Sequence, residues 1–284
     1  MTLSGPEIHR LLSEHGIHPS KALGQNFVAD PNTVRRIVRL GGVSAGSRVL
    51  EIGPGLGSLT LALVEAGASV VAVEIDRRLA AALREVLQGA AGVRVVEGDA
   101  LRLDWRSWLD DGALPSGAPW ILVANLPYRV ATPVVLHALE EAPEIGSQLV
   151  MVQREVADRL VATPNTPAYG AVSVRVGYFA EAAIVGQVPR GVFIPRPKVE
   201  SALVRIVRRD APAVDPALVS YARFDAVVRA GFAHRRKMLR RALAGVVSAD
   251  AFEAAGVAPT ARAEDLDVAR WGRLAAETGV GAHG

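Results

Sequence analysis

The chain has 284 residues, 32 basic against 29 acidic side chains for a formal charge of +3, and no cysteine. The missing thiols exclude disulfide frameworks and thiolate metal sites and point to a reducing compartment. So small a net charge rules out polyanion binding over the whole surface, so any nucleic-acid contact must come from a local patch. No apolar run approaches the ~20 residues that a membrane helix needs. The Met1-Thr2-Leu3-Ser4 start has neither the basic nor the apolar region of a secretory signal, so the expected location is cytoplasmic and off the membrane. The length suggests one large domain and a smaller one.

The first predicted element is a short amphipathic helix carrying Ile8, Leu11 and Leu12, with Ser4 and Glu7 as its capping box. A loop from Lys21 to Phe27 leads to a second helix, about Pro31 to Arg39. Arg48 to Ile52 reads as a buried strand running into Gly53-Pro54-Gly55-Leu56-Gly57, with a helical pattern through Leu59, Leu61, Leu63 and Val64 after it. Strand, glycine loop and helix form a nucleotide-binding turn in which the backbone can approach a ligand closely. Ser58 stands where a dinucleotide motif has its third glycine, and a carboxylate at Glu51 repels a diphosphate, so a pyrophosphate cofactor is disfavoured. The same carboxylate suits the ammonium of a methionine moiety.

Ser69 to Val73 is the next strand and ends in Glu74, 21 residues beyond Gly53, where an acid accepts from both ribose hydroxyls. Val93 to Val96 follows, and Asp99 after it can accept from an adenine amine. Taken singly, each acid also reads as a solvated strand end or a helix cap. Together they describe an adenosine with an amino-acid tail, S-adenosylmethionine.

Trp120 to Ala124 is a further apolar strand, closed by Asn125-Leu126-Pro127-Tyr128. An exocyclic base amine is a poor nucleophile because its lone pair is delocalised into the ring. Two acceptors that take its two N–H groups localise that pair. The Asn125 side-chain oxygen and the Leu126 carbonyl fit that task, with Pro127 holding the turn and Tyr128 stacking on the base. A strand followed by an ordinary Asn-Pro turn is the bland alternative.

Gln148 to Gln153 makes a fifth strand, and Val172 to Tyr178 with Ala202 to Val207 read as an antiparallel pair at the sheet edge. Arg208 to Pro212 looks like a linker, and the pattern beyond it is helical. Arg229, Arg236 and Arg240 recur there at near-helical spacing, with Arg235, Lys237 and Arg241 beside them, while Val228, Phe232, Leu239 and Leu243 can face inward. This is either a solvated face or a phosphate-binding patch, which Lys198 and Arg196 extend toward Phe193. The six histidines show no metal-ligand spacing, so no metal is expected.

Over nearly its whole length the chain resembles the bacterial small-subunit ribosomal RNA adenine dimethyltransferases, the KsgA/RsmA family. The resemblance is carried by Lys21-Ala22-Leu23-Gly24-Gln25-Asn26-Phe27, Glu51 to Gly57, Glu74-Ile75-Asp76, Gly98-Asp99-Ala100, Asn125 to Tyr128, Phe193 to Ser201, Arg235 to Arg240 and Ala261 to Leu266. It implies an α/β Rossmann-like class I methyltransferase sheet with helices on both faces in a cofactor-binding catalytic domain over 1–209, the N-terminal helices and loop included. A small helical RNA-binding domain follows over 210–284. It implies cofactor contacts at Asn26, Val28, Gly53, Glu74, Asp99 and Asn125, and Phe193 facing Tyr128 across the target adenine.

RNA contacts are expected at Lys198, Arg235, Arg236, Lys237 and Arg240. The implied reaction is N6,N6-dimethylation of two adjacent adenosines in the 3′-terminal hairpin loop of 16S ribosomal RNA, in the immature small subunit, by a monomer. Val28 stands in place of the usual leucine, and Arg129-Val130-Ala131-Thr132 in place of Asn-Ile-Ser-Thr. Three other readings share features of the chain: a large-subunit RNA methyltransferase, a dinucleotide oxidoreductase, and a non-catalytic checkpoint in ribosome assembly.

Overall fold

The computed structural model describes residues 2–19, 24–109, 119–127 and 129–278. Lys21 to Leu23 of the N-terminal stretch and Tyr128 lie outside the described residues. The chain divides into two compact units, one of residues up to 157 with 183–208, the other of 158–182 with the residues from 209 on. The sequence pattern suggests one boundary, at 209. The structure adds breaks near 158 and 183, because the segment between them packs among the C-terminal helices.

The first unit runs through α1 (Gly5–Glu14), β1 (Phe27–Val28), α2 (Pro31–Leu40), β2 (Arg48–Ile52), α3 (Ser58–Glu65) and β3 (Ser69–Glu74). It continues with α4 (Arg77–Val86), β4 (Val93–Glu97), α5 (Arg106–Leu109), β5 (Trp120–Asn125), α6 (Ala131–Glu141) and β6 (Ile145–Gln153). Next in the chain come α7 (Arg154–Leu160), α8 (Ala171–Phe179), β7 (Ala180–Val188), β8 (Phe193–Ile194) and β9 (Ser201–Arg208).

Seven strands form one sheet in the order β4-β3-β2-β5-β6-β9-β7. β2 to β6 are parallel, and β9 runs antiparallel to β6. Their apolar runs are buried, with Val49, Leu50, Val70, Val71, Leu122 and Val123 at 0% exposure, each such side chain contributing about 1.5–3 kcal/mol. The chain leaves β2 toward β3 and β4, then returns to β5 on the other side of β2. That reversal is a topological switch point, and the crevice outside its carboxyl ends is where such sheets bind ligands.

Local chemistry sets the helix starts. Asp30 accepts from the Asn32 and Thr33 amides ahead of α2, with Pro31 as its first residue, and Asp76 does the same for Arg78 and Leu79 at α4. The C-terminal end of α6 is closed from a distance. The half-buried Arg208 guanidinium on β9 donates to the carbonyls of Ala138, Leu139, Ala142 and Ile145 at 2.8–3.2 Å, satisfying groups that a helix leaves unpaired.

The second unit holds α8 and, from 209 on, α9 (Tyr221–Ala233), α10 (Leu239–Ala242), α11 (Ala249–Ala254) and α12 (Val268–Ala276). Its core gathers Val174, Tyr178, Phe224, Val228, Leu239, Leu243 and Trp271. Two sequence expectations are corrected here. Val172 to Tyr178 is helix, not strand, and the strand beside β9 is β7. The alternation in V-S-V-R-V-G-Y mimics a period of two. A helix forms instead because the Ser173 hydroxyl accepts from the Gly170 amide (3.1 Å) and donates to the Arg159 carbonyl (2.7 Å), while Val174 and Tyr178, four apart, enter one core.

The basic cluster, expected on one helix, occupies a turn. α9 ends at Ala233, and Arg235, Arg236 and Lys237 precede α10, which carries Arg240 and Arg241. Arg229 is paired with Asp225 at 2.7 Å, one helical turn away.

Candidate active site

At the carboxyl end of β2 the backbone enters the glycine loop. Gly55 has φ +59°, and a Cβ there would sit 2.9 Å from the Phe27 ring, so only glycine lets β1 close against the loop. The Gly55 amide donates to Glu74 Oε2 at 3.0 Å, and the Asp76 amide donates to Glu74 Oε1 at 3.0 Å. The Glu74 carboxylate at the tip of β3 is thus fixed at both oxygens. Burial pushes its pKa up, and these backbone donors oppose the rise. After β4, Asp99 accepts from the Leu101 amide at 3.0 Å and meets the exposed Arg102 guanidinium at 3.5 Å.

At the end of β5, Asn125 Nδ2 donates to the Asn26 carbonyl at 2.9 Å. A Cβ on Gly53 would lie 3.6 Å from the Pro127 ring, so the glycine loop and the Asn-Leu-Pro turn abut.

These groups surround one cavity of about 310 Å³. All six residues expected at the cofactor line it: Asn26, Val28, Gly53, Glu74, Asp99 and Asn125. Pro127, Arg129 and Glu51 line it too. Glu51 is 1% exposed and its Oε2 has no hydrogen-bond partner among the described residues. Burial raises its pKa to about 8, with the Thr60 hydroxyl opposing and the Glu74 charge adding.

Leu126 and Phe193 are not among the lining residues. The Leu126 side chain is buried and its amide donates to the Met151 carbonyl at 3.1 Å. Phe193 is buried in the core cluster that holds Val28, and β8 pairs antiparallel with β1, Val28 opposite Phe193. It therefore lies beside β1 in the strand pair. Its placement relative to Tyr128 falls outside the described residues.

Sequence reasoning missed Ile75, Leu79, Leu101 and Val134 among the lining residues. Ile75 had a signal, an apolar residue between two acids at a strand tip. The others point inward from helices and turns, where an apolar side chain looks like core.

In the first unit Lys198 is exposed, and in the helical unit Arg236, Lys237 and Arg240 are exposed. Arg235 differs: its Nε pairs with Glu264 at 2.6 Å and its Nη2 donates to the Thr166 carbonyl at 3.3 Å. Among the described residues there is no group of three or more His, Asp or Glu placed to hold a metal, and no helix long and apolar enough to cross a membrane.

A parallel sheet with its switch point between β2 and β5, a glycine loop tied to an acidic strand tip, and an Asn-Leu-Pro turn on the same cavity define a class I methyltransferase. A family model described as ribosomal RNA adenine dimethylase matches residues 18–278. A protein of Cutibacterium acnes named ribosomal RNA small subunit methyltransferase A is 49% identical over 96% of this chain and 93% of its own length. A protein of the same name from Streptomyces avermitilis is 47% identical over 98% and 95%.

Among solved structures, the 23S rRNA methyltransferase ErmE superposes with TM-score 0.67 at 28% identity, over 89% of this chain and 99% of that one. A dimethyladenosine transferase from Plasmodium falciparum shares the fold, with TM-score 0.71 at 23% identity, over 86% and 94%. The chain belongs to the ribosomal RNA adenine dimethylase family and is an rRNA methyltransferase.

Proposed function

We propose that the chain uses S-adenosylmethionine to convert two adjacent adenosines in the 3′-terminal hairpin loop of 16S ribosomal RNA to N6,N6-dimethyladenosine. It does so as a cytoplasmic monomer acting on the immature small subunit. The observation that carries this reading is the convergence of Asn125, Glu74, Asp99 and the glycine loop on one cavity at the sheet's switch point. The small-subunit assignment is supported by the names of the relatives.

The cavity fits the cofactor on chemical grounds. Glu51 Oε2 is a buried oxygen without a partner among the described residues, suited to an ammonium group. The glycine loop keeps its backbone on the cavity wall at Gly53 and Gly55, where a ligand can meet it directly. Glu74 presents a fixed carboxylate for the ribose hydroxyls, Asp99 an acceptor for the adenine amine, and Asn26, Val28 and Gly53 supply backbone walls. When bound, the cofactor supplies an electrophilic methyl group.

The residues supply position and electrostatics. The Asn125 side-chain oxygen and the Leu126 carbonyl accept the two N–H groups of the target adenine, localising its lone pair. Pro127 fixes the turn, Tyr128 stacks on the base, and Phe193 holds β1 through the pairing of β8. No strong base is required, since the quaternised nitrogen loses its proton readily. Each target adenosine must leave its stack to enter. Lys198, Arg236, Lys237 and Arg240 contact phosphates, and Arg235 orders the turn that carries them.

The test is methyl transfer to unmodified small and large ribosomal subunits with labelled S-adenosylmethionine. Label recovered as dimethyladenosine in 16S RNA supports the reading. Label confined to large-subunit RNA replaces it with the activity named for the ErmE relative.

A further inference from the structure

Asn125 has two polar atoms, and only one is needed as an acceptor for the target amine. The other is engaged. Nδ2 donates to the backbone carbonyl of Asn26 at 2.9 Å, across 99 positions of sequence. A carbonyl only accepts, so the amide must turn its nitrogen toward Asn26, and Oδ1 is the acceptor that remains.

The carbonyl is itself held on both sides. Asn26 Nδ2 donates to the Gly24 carbonyl at 3.0 Å. Immediately after it, β1 is paired to β8 through Phe27 with Ile194 and Val28 with Phe193, and the Ala29 amide donates to the Val192 carbonyl at 2.8 Å.

We propose that the Asn26 carbonyl is a positioning group that locks the Asn125 amide with Oδ1 available to the adenine N6, and that this bond is why the position requires an amide rather than a carboxylate. The proposal rests on the methyl-transfer reading above. An aspartate has the same shape, and its ionised oxygen is the stronger acceptor. If acceptance were the whole task, aspartate would serve at least as well as asparagine. Its second oxygen, however, would face the Asn26 carbonyl, acceptor against acceptor, and the carboxylate would turn away.

Protonation repairs this. The acid O–H then donates to Asn26 as the amide N–H does, and the C=O takes the place of Oδ1. The charged groups that line the cavity are Glu51 on β2, Glu74 at the tip of β3, Asp99 after β4 and Arg129 ahead of α6. β1 contributes only Phe27 and Val28, and β6 contributes no lining residue. The acidic side chains outnumber the one guanidinium, Glu51 adding its charge only as pH rises toward about 8, and this favours the protonated form of an added acid.

The test compares Asn125→Asp and Asn125→Ala with the parent in single-turnover methylation of small-subunit RNA, with S-adenosylmethionine saturating, from about pH 6 to about pH 8.5. Each rate is divided by that of the parent at the same pH, which removes titrations the proteins share. Asn125→Asp is expected to run about 10²-fold or more below the parent at the alkaline end. Its relative rate then recovers by up to about tenfold per pH unit on acidification, as one proton is restored.

An aspartate variant equal to the parent throughout, or one whose relative rate is flat with pH, overturns the positioning role. The alanine variant separates this from the underlying reading. If it keeps the parent rate, Asn125 is not the acceptor and the methyl-transfer assignment of this residue fails too. If it is inactive while the aspartate variant is fully active, only the positioning role fails. A measurement on the parent covers the case in which the variants misfold. In selectively 15N-labelled protein the Asn125 side-chain amide is expected to be protected from hydrogen exchange. Exchange at the rate of free asparagine overturns the proposal.

Discussion

Glu51 sits 1% exposed at the carboxyl end of β2, and burial raises its carboxyl pKa from 4.5 to about 8. Below pH 4.5 the folded and unfolded chains both hold this proton, and its contribution to stability is fully present. Between 4.5 and about 8 the folded protein keeps a proton that the unfolded chain has released, so stability falls as pH rises, by about 1.4 kcal/mol per unit. Above about pH 8 the loss is complete, at roughly 5 kcal/mol, of which roughly 3 kcal/mol has accrued by pH 7. Glu51→Gln removes the titration while keeping the shape.

Urea unfolding of the cofactor-free parent and variant across this range is the assay. The difference in unfolding free energy is expected to move in favour of glutamine by about 1.4 kcal/mol per pH unit between pH 5 and 8. Glu74, whose pKa is also raised by burial, is present in both proteins, and its charge enters the difference only as the smaller Coulombic part of the Glu51 shift. A difference that stays constant with pH refutes the reasoning, since a carboxyl with an ordinary pKa would titrate equally in both states. The glutamine variant should also bind S-adenosylmethionine more weakly at alkaline pH. The buried carboxylate would then be a strained group kept for its ligand at the expense of stability.

Three further outcomes follow from other parts of the molecule. Glu74→Ala, which removes the carboxylate fixed by the Gly55 and Asp76 amides, should weaken S-adenosylmethionine binding by about 1–3 kcal/mol in calorimetry; unchanged affinity in a folded variant removes its ribose role. Neutralising Arg236, Lys237 and Arg240 together should lower the salt slope of RNA binding by about 2–3 with cofactor affinity untouched, and an unchanged slope makes the cluster a solvated surface. Arg208→Ala should lower unfolding free energy by about 2–4 kcal/mol, because four carbonyls around the end of α6 lose a charged donor; a loss under about 0.5 kcal/mol would mean that water replaces the guanidinium there.

The parallel strands were legible because each is a short, largely apolar run, and the glycine, acidic or Asn-Leu-Pro punctuation at the ends of four of them drew attention to Gly53, Glu74, Asp99 and Asn125. α8 was not legible. Its valines alternate with polar residues as in a strand, and what makes it a helix is Ser173 bonding to Arg159 and Tyr178 entering the core around Phe224, contacts made across the sequence. The pairing of β8 with β1, which buries Phe193 beside Val28, was likewise not visible in the sequence, because it joins segments far apart in the chain. The basic residues near 236 were visible as charge, but no local pattern showed that Arg235 is spoken for by Glu264. Nor did it show that the helix stops at Ala233. The bond between Asn26 and Asn125 joins segments 99 residues apart and has no sequence signature.

In the proposed reaction the Asn125-Leu126-Pro127-Tyr128 turn directs an adenine amine of small-subunit RNA at the methyl donor. Nucleoside mass spectrometry of 16S RNA, after single-turnover reaction with the parent and with Asn125→Ala, tests it most directly. With the parent, N6,N6-dimethyladenosine is expected at two adjacent positions near the 3′ end, and with the variant a rate about 10²–10³ lower at saturating S-adenosylmethionine. Dimethyladenosine formed at a rate within a few-fold of the parent by the variant, or methyl groups found on another base or another RNA, would contradict it.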